Sequence, residues 1–256
     1  MNYGFVGFGH LAQAIHQSLK DDKKITFGFV SKGHPHKEVK NYGNLEALVS
    51  FADVLWLCVK PQNLAEVLEP LRGMDLKGKQ IVSPVAGKSI GFIEGYLGKE
   101  TAIVRIMPNL AIAFQESVTA FTANHPLSEF SKRVKADLKK LGKVVELPEK
   151  HFDLFTALFG SGPAFLLEIL AVLKKKTEEL GVSGTEANEL MSQLVTGTMT
   201  YFESNSKKGI PELINQIASK GGTTEAGLKS FRENKLDHLL EGVVESARKR
   251  SQEIGG

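Results

Sequence analysis

Three small residues near the start of the chain are spaced to hold an anion against backbone. Gly7, Gly9 and Ala12, in Gly7-Phe8-Gly9-His10-Leu11-Ala12, follow a short apolar run and open a helical pattern, the context in which G-x-G-x-x-G/A binds a dinucleotide. Gly7 permits a tight turn, Gly9 lets a pyrophosphate approach the backbone, and Ala12 lets the helix pack closely on the strand. The helix N-terminus then faces the anion. A glycine turn with no ligand shares this spacing, but its place inside an alternating strand and helix pattern favours the dinucleotide. The second strand ends at Phe29-Val30-Ser31-Lys32, without the acid that would bind a ribose 2′-hydroxyl. Ser31 and Lys32, with His34, Lys37 and Lys40 following, suit a 2′-phosphate, so NADPH is favoured over NADH. The competing account of these residues is a solvated basic loop.

Other candidates carry less chemistry. His34 and His36 flank one proline with no partner cysteines or carboxylates nearby in sequence, a poor metal site, and no metal is expected. Gly160-Ser161-Gly162 lacks the outer glycines of a nucleophile elbow, since Phe159 and Pro163 stand there. The lone Cys58 lies in an apolar run and reads as a small buried hydrophobe in a reducing compartment. Glu168, an acid among Phe165 to Leu173, reads as a polar anchor at a subunit interface. Lys220-Gly221-Gly222-Thr223-Thr224 joins flexible backbone to two hydroxyls. Its N–H groups could hold a carboxylate, or the segment could simply link two helices.

The elements that position these residues follow from periodicity. Short apolar runs at Tyr3 to Val6, Ile25 to Val30, Val54 to Val59, Gln80 to Ser83, Ala102 to Ile106, Val118 to Phe121 and Val144 to Leu147 alternate with helical stretches. That alternation predicts a parallel sheet with crossover helices. After Pro148 only helical periods remain, which sets domains of 1–148 and 149–256. Pro163 opens a helix to Leu180, capped by Gly181, whose residues leave little polar face and must be buried nearly all round. Thr185 to Phe202 and Leu236 to Ala247 repeat helical spacing, and such a bundle calls for a second subunit to complete its core.

Composition sets the outer bounds. The 256 residues, 42% hydrophobic and 24% charged, describe an ordinary globular protein of one or two domains. The net charge of +3 divides into +5 over residues 1–146 and −2 over the rest, enough for a phosphorylated small molecule. No basic stripe interleaved with aromatic residues argues for nucleic acid. The apolar runs fall short of the roughly 18 residues of a membrane span, and no secretory leader precedes the first strand. The expected location is the cytoplasm, with no membrane partner.

Taken in order along the chain, these segments resemble pyrroline-5-carboxylate reductases. The cofactor turn Gly7 to Ala12, the strand from Ala52-Asp53-Val54 through Val59-Lys60-Pro61, Ala86-Gly87, Arg105-Ile106-Met107-Pro108-Asn109, Gly160-Ser161-Gly162-Pro163-Ala164 and Gly221 to Leu228 match the family across nearly the full length. The resemblance implies an α/β fold: an N-terminal Rossmann-type doubly wound sheet followed by an all-helical dimerisation domain, assembled as a homodimer or ring of dimers. It also implies reduction of the cyclic imine 1-pyrroline-5-carboxylate to L-proline by NADPH. By matching position, Gly7, Phe8, Gly9, His10, Leu11, Ser31, Cys58, Val59, Lys60 and Pro61 line the cofactor, and Asn44 contacts its ribose. Met107, Pro108 and Asn109 lie near the nicotinamide. Ser219, Lys220, Gly221, Gly222, Thr223 and Thr224 hold the substrate carboxylate, and the Thr224 hydroxyl meets the ring nitrogen.

Three departures surround the expected substrate pocket: Phe159 where the family has Ser, Lys220 where it has Pro, and Leu110-Ala111 where it has Thr-Pro. They leave two competing readings: an NADP-dependent reductase of another imine or a keto acid, and a regulatory protein that binds NADPH without consuming it.

Overall fold

In the N-terminal half, strands β1 (Asn2–Val6), β2 (Thr26–Val30), β3 (Lys40–Asn41), β4 (Val54–Leu57), β5 (Gln80–Ser83), β6 (Ala102–Met107), β7 (Ser117–Ala123) and β8 (Gly142–Glu146) alternate with helices. Those helices are α1 (His10–Leu19), α2 (Leu45–Phe51), α3 (Leu64–Arg72), α4 (Ile90–Leu97), α5 (Glu129–Lys139) and the short α6 (Phe152–Phe155). The structure is a computed structural model describing residues 1–33, 36–126 and 128–255. His34 lies outside the described residues.

The strands form one eight-stranded sheet in the order β3-β2-β1-β4-β5-β6-β7-β8. From β3 to β6 the pairing is parallel. The expected all-parallel sheet is corrected at β7, which runs antiparallel to β6 while pairing parallel with β8. Between Met107 and Ser117 there is only a 3₁₀ segment, Leu110–Phe114, too short for a parallel crossover, so the chain turns back beside itself. The two-residue β3 has no counterpart among the predicted strands.

Side chains alternate across this sheet and build a core on each face. Tyr3, Phe5, Trp56, Val82, Val104 and Ile106 pack with Ala12, Ile15 and Leu19 of α1 and with Val134 and Leu138 of α5. Their neighbours Leu55, Leu57, Ile81 and Ile103 face the other way, against Leu48 of α2, Leu64 and Leu68 of α3 and Ile93 of α4. Helices on both faces explain the near-continuous apolar runs of β1 and β4.

A carboxylate is buried under this sheet. Asp137, 1% exposed, accepts at Oδ2 from the Tyr3 hydroxyl at 2.6 Å and from Arg133 Nε at 2.9 Å. Its Oδ1 accepts from Lys140 Nζ at 2.8 Å. Burial alone would raise this carboxyl, but the bonds from Lys140, Tyr3 and Arg133 outweigh it and hold the group below the usual carboxylate range.

The helices that follow are α7 (Gly162–Glu178), α8 (Gly184–Ser204), α9 (Ile210–Ile217), α10 (Thr223–Glu233) and α11 (Leu236–Gly255). The chain divides into two compact units: Met1–Ser161 together with the segment from Glu245 onward, and Gly162–Val244. In the helical unit, Gly181 takes a positive φ of 85° after α7, and the Ser183 hydroxyl caps α8 by accepting from Glu186 N–H at 3.1 Å. The expectation that α7 is buried nearly all round fails within this chain: Leu166 and Leu167 are 65% and 66% exposed. Too few residues surround α7 to cover an all-round apolar helix. Helical structure also continues through Gly160–Pro163, so Glu149–Glu178 reaches the length and apolarity of a membrane span by composition. Reading the runs separately on either side of that segment hid this.

A depressed folded-state pKa means that Asp137 stabilises the fold above its unfolded value near pH ~3.9, a contribution lost as pH falls through the folded value. Tyr3→Phe, which removes one bond to this carboxylate, is expected to lower stability by about 1 to 2 kcal/mol at pH 7, read by urea unfolding. Asp137→Asn should in addition flatten the loss of stability on acidification below about pH 4; an unchanged acid limb would remove Asp137 from that role.

Candidate functional site

The chain leaves β1 and moves first to β2 on one side, then to β4 on the other. A crevice opens beyond the strand ends where the order reverses, and open α/β sheets bind ligands there. The turn Gly7 to Gly9 occupies it. Gly7 has φ +87°, and a Cβ there would collide with the carbonyl of Cys58. Its N–H donates to Val30 carbonyl at 2.9 Å, and Cys58 N–H donates to Val6 carbonyl at 2.8 Å. Both neighbouring strands are therefore bonded to the turn. At Gly9 the surroundings are different: a Cβ would have nothing within 4 Å.

Gly9 is the N-cap of α1, without a side-chain cap and without acid in the first turn. The helix thus presents its N–H groups and positive end without an internal counter-group, which fits a phosphate. Gly9, His10, Leu11, Cys58, Val59 and Lys60 line one cavity of about 220 Å³, joined by Ala12 and Pro84. Six residues expected at the cofactor from separate stretches of sequence are brought together here. Pro84 was not among them; the signal available was its place just after β5, the neighbour of β4. Burial pushes the Cys58 thiol up, so it stays protonated and lines the cavity without acting as a nucleophile.

The remaining cofactor candidates are placed as follows. Ser31, half-buried, and Lys32, exposed, follow β2, and the Ser31 hydroxyl accepts from Gly33 N–H at 3.2 Å. Pro61 begins a short 3₁₀ turn. Asn44 caps α2, its Oδ1 accepting from Ala47 N–H at 2.8 Å; this accounts for the carbonyl and leaves the amide donors free of that role. Met107 and Pro108 are buried at the end of β6. Asn109 accepts from Ala111 N–H at 3.2 Å and its own N–H donates to Ser117 Oγ at 3.2 Å. Arg105, on the same strand and 3% exposed, pairs with Glu149 at 2.8 Å. Glu149 also accepts from Ile90 N–H at 2.7 Å.

Two further features surround the sequence motifs of the second half. Thr156–Gly160 is a π-helical turn in which Ser161 N–H reaches Thr156 carbonyl at 2.9 Å. Such turns concentrate at functional sites, and here one delivers the chain to Gly160-Ser161-Gly162. Phe159, the first departure, leans on Phe155 at 4.6 Å between ring centroids. In the helical unit, Ser219 to Gly222 lead into α10, whose N-cap Gly222 has no side-chain cap. The first-turn N–H groups of Thr223 and Thr224 therefore face outward from the helix end, as an anion requires. Gly221, with φ +75°, is different: its N–H donates to Glu225 Oε2 at 2.7 Å. Glu225 thus takes one of the donors expected for the carboxylate. Its sequence signal is the acid three residues into the helix, which reaches back as in a capping box.

This geometry has close counterparts among known proteins. Residues 149–254 match a family model described as pyrroline-5-carboxylate reductase dimerisation, and residues 2–87 match one described as NADP oxidoreductase coenzyme F420-dependent. The chain is 29% identical to pyrroline-5-carboxylate reductase 2 of Bacillus subtilis, covering 98% of this chain and 94% of that one. Its structure superposes on the Plasmodium falciparum pyrroline carboxylate reductase with NADP bound at a TM-score of 0.92 and 25% identity, covering 100% and 98% of the two chains. With the Aquifex aeolicus pyrroline-5-carboxylate reductase it shares 35% identity over 91% of its own length and 89% of the relative's. Agreement in sequence that runs through both the nucleotide turn and the helices beyond it means that the chain belongs to the pyrroline-5-carboxylate reductase family.

Proposed function

We propose that this protein reduces 1-pyrroline-5-carboxylate to L-proline with NADPH, the last step of proline biosynthesis. The observation that carries this reading is the match to a reductase of that name at 35% identity over 91% of the chain. The cofactor reading has separate physical support in the uncapped α1 N-terminus and the open space at Gly9.

NADPH, when bound, supplies the hydride. The residues of this chain orient the reactants. Gly7 to Leu11 and Cys58 to Pro61 hold the dinucleotide, Ser31 and Lys32 its 2′-phosphate, Asn44 a ribose, and Met107 to Asn109 flank the nicotinamide. Ser219 to Thr224 hold the substrate carboxylate through N–H groups, with Lys220 adding a cation. A protonated imine is already electrophilic, so a strong general acid is not demanded. The Thr224 hydroxyl fixes the ring nitrogen as it becomes an amine. Residues 1–148 serve as the cofactor domain and 149–256 as the substrate and dimerisation domain. Two copies join through the exposed helical faces as a homodimer, alone or within a ring of dimers, in the cytoplasm.

NADPH oxidation by purified protein should rise on adding pyrroline-5-carboxylate and exceed the rate with NADH. Tight NADPH binding without consumption would instead favour another imine, a keto acid or a non-catalytic role. Thr224→Ala should raise the barrier by about 2 to 4 kcal/mol, read as lost turnover with NADPH affinity nearly unchanged; equal turnover would remove Thr224 from the site. The glycines separate folding from binding. Gly9→Ala should keep the wild-type melting temperature yet bind NADPH at least about tenfold more weakly, because its methyl enters space reserved for the ligand. Gly7→Ala should lose both, through strain against Cys58.

A further inference from the structure

Rings from four segments meet beside the phosphate turn. Phe8, between the two glycines, stacks on Phe29 of β2 at 4.4 Å. The His36 ring stands edge-on to Phe8 at 5.1 Å and to His16 of α1 at 5.6 Å, and His16 stands edge-on to Phe27 of β2 at 5.0 Å. Phe8 and His16 are 7% and 5% exposed. His16 is pushed down by burial first, then by His36 and Lys20, against the opposing pull of Glu38, so it packs as a neutral ring. These perpendicular arrangements match positive ring edges to negative faces.

His36 is the member of this cluster that belongs to the segment following β2. That segment carries Ser31 and Lys32 and is fixed at its far end by Val39, which is buried in the core. Among its described residues the other polar ties are local: Gly33 N–H to Ser31 Oγ, and Glu38 N–H to His36 Nδ1 at 3.4 Å. His36 is thus its ring contact to the turn and to α1 in one place. We propose that His36 is a positioning residue that sets cofactor preference: its ring seats the segment bearing Ser31 and Lys32 against Phe8, so that these two groups are already placed for a 2′-phosphate. This rests on the reading of Ser31 and Lys32 as the 2′-phosphate contacts. Holding a loop in its bound arrangement strengthens binding by removing the cost of ordering it. The benefit goes to the ligand that the loop touches, so NADPH gains and NADH does not.

The test is direct binding of NADPH and of NADH, followed by fluorescence, with thermal unfolding of each variant alongside. His36→Ala is expected to weaken NADPH about tenfold and NADH less than about twofold. His36→Gln, which keeps a polar group and loses the ring, should match it, and His36→Phe should restore NADPH affinity to within about threefold. Unchanged NADPH affinity in His36→Ala or His36→Gln, an equal loss for both cofactors, or failure of His36→Phe to restore binding would each overturn the proposal. Lys32→Ala separates it from its premise. If that variant leaves the NADPH to NADH ratio unchanged, the assignment of Lys32 fails; if the ratio falls in Lys32→Ala but not in His36→Ala, the seating role alone fails.

Discussion

The nucleotide end of the sheet depends on backbone approaching backbone with no side chain between. At Gly7 a single methyl would meet the Cys58 carbonyl, and at Gly4, three residues earlier on β1, it would meet Ala52 Cβ at 2.7 Å. These contacts let β1 lie between β2 and β4 while α2 packs closely over it. The closeness allows Gly7 N–H to bond Val30 and Cys58 N–H to bond Val6, so the turn is rigid before any ligand arrives. Gly9 then stands free at the helix end. The fold requires the first glycine, whereas a methyl at the second would meet no protein atom within 4 Å, although the motif writes them with the same letter.

How much of this was legible depends on how local each cause is. The seven longer strands and the cofactor turn follow from runs and spacings of a few residues. Strand direction is not local. Nothing in Val118 to Phe121 distinguishes a parallel from an antiparallel partner, and the short connection before it had to be read as too short for a crossover. The ring cluster is more hidden still, because Phe8, His16 and His36 share no period and meet only after β2 and α1 have folded against β1. Glu225 was legible as a capping acid, but its competition for the Gly221 N–H becomes visible only with both groups in place.

The helical unit shows a different limit. Its sequence carries enough apolar residues for a core, yet of its helices only Ala187 and Leu213 are buried within the chain. Exposed residues such as Leu166, Leu167 and Val172 would each contribute about 1.5 to 3 kcal/mol if removed from water. Pairing two copies through these faces, as proposed, makes the stability of this unit depend on protein concentration. Periodicity marks these residues as apolar and helical, but within this chain they stay exposed.

The division between cofactor and substrate residues follows from the same geometry. Recognition of pyrophosphate by a turn and a helix end uses backbone groups, which substitution of neighbouring side chains leaves in place, and here that turn is unaltered. Recognition of a small imine acid relies on what crowds it. Of the three departures, Phe159 holds its ring against Phe155, Leu110 lies exposed after the Asn109 cap, and Lys220 precedes Gly221, whose N–H Glu225 takes. In the loop before α10, Glu225 takes the Gly221 N–H at 2.7 Å and the Ser219 carbonyl takes the Gly222 N–H at 3.0 Å, so the donors left at this helix end are those of its first turn.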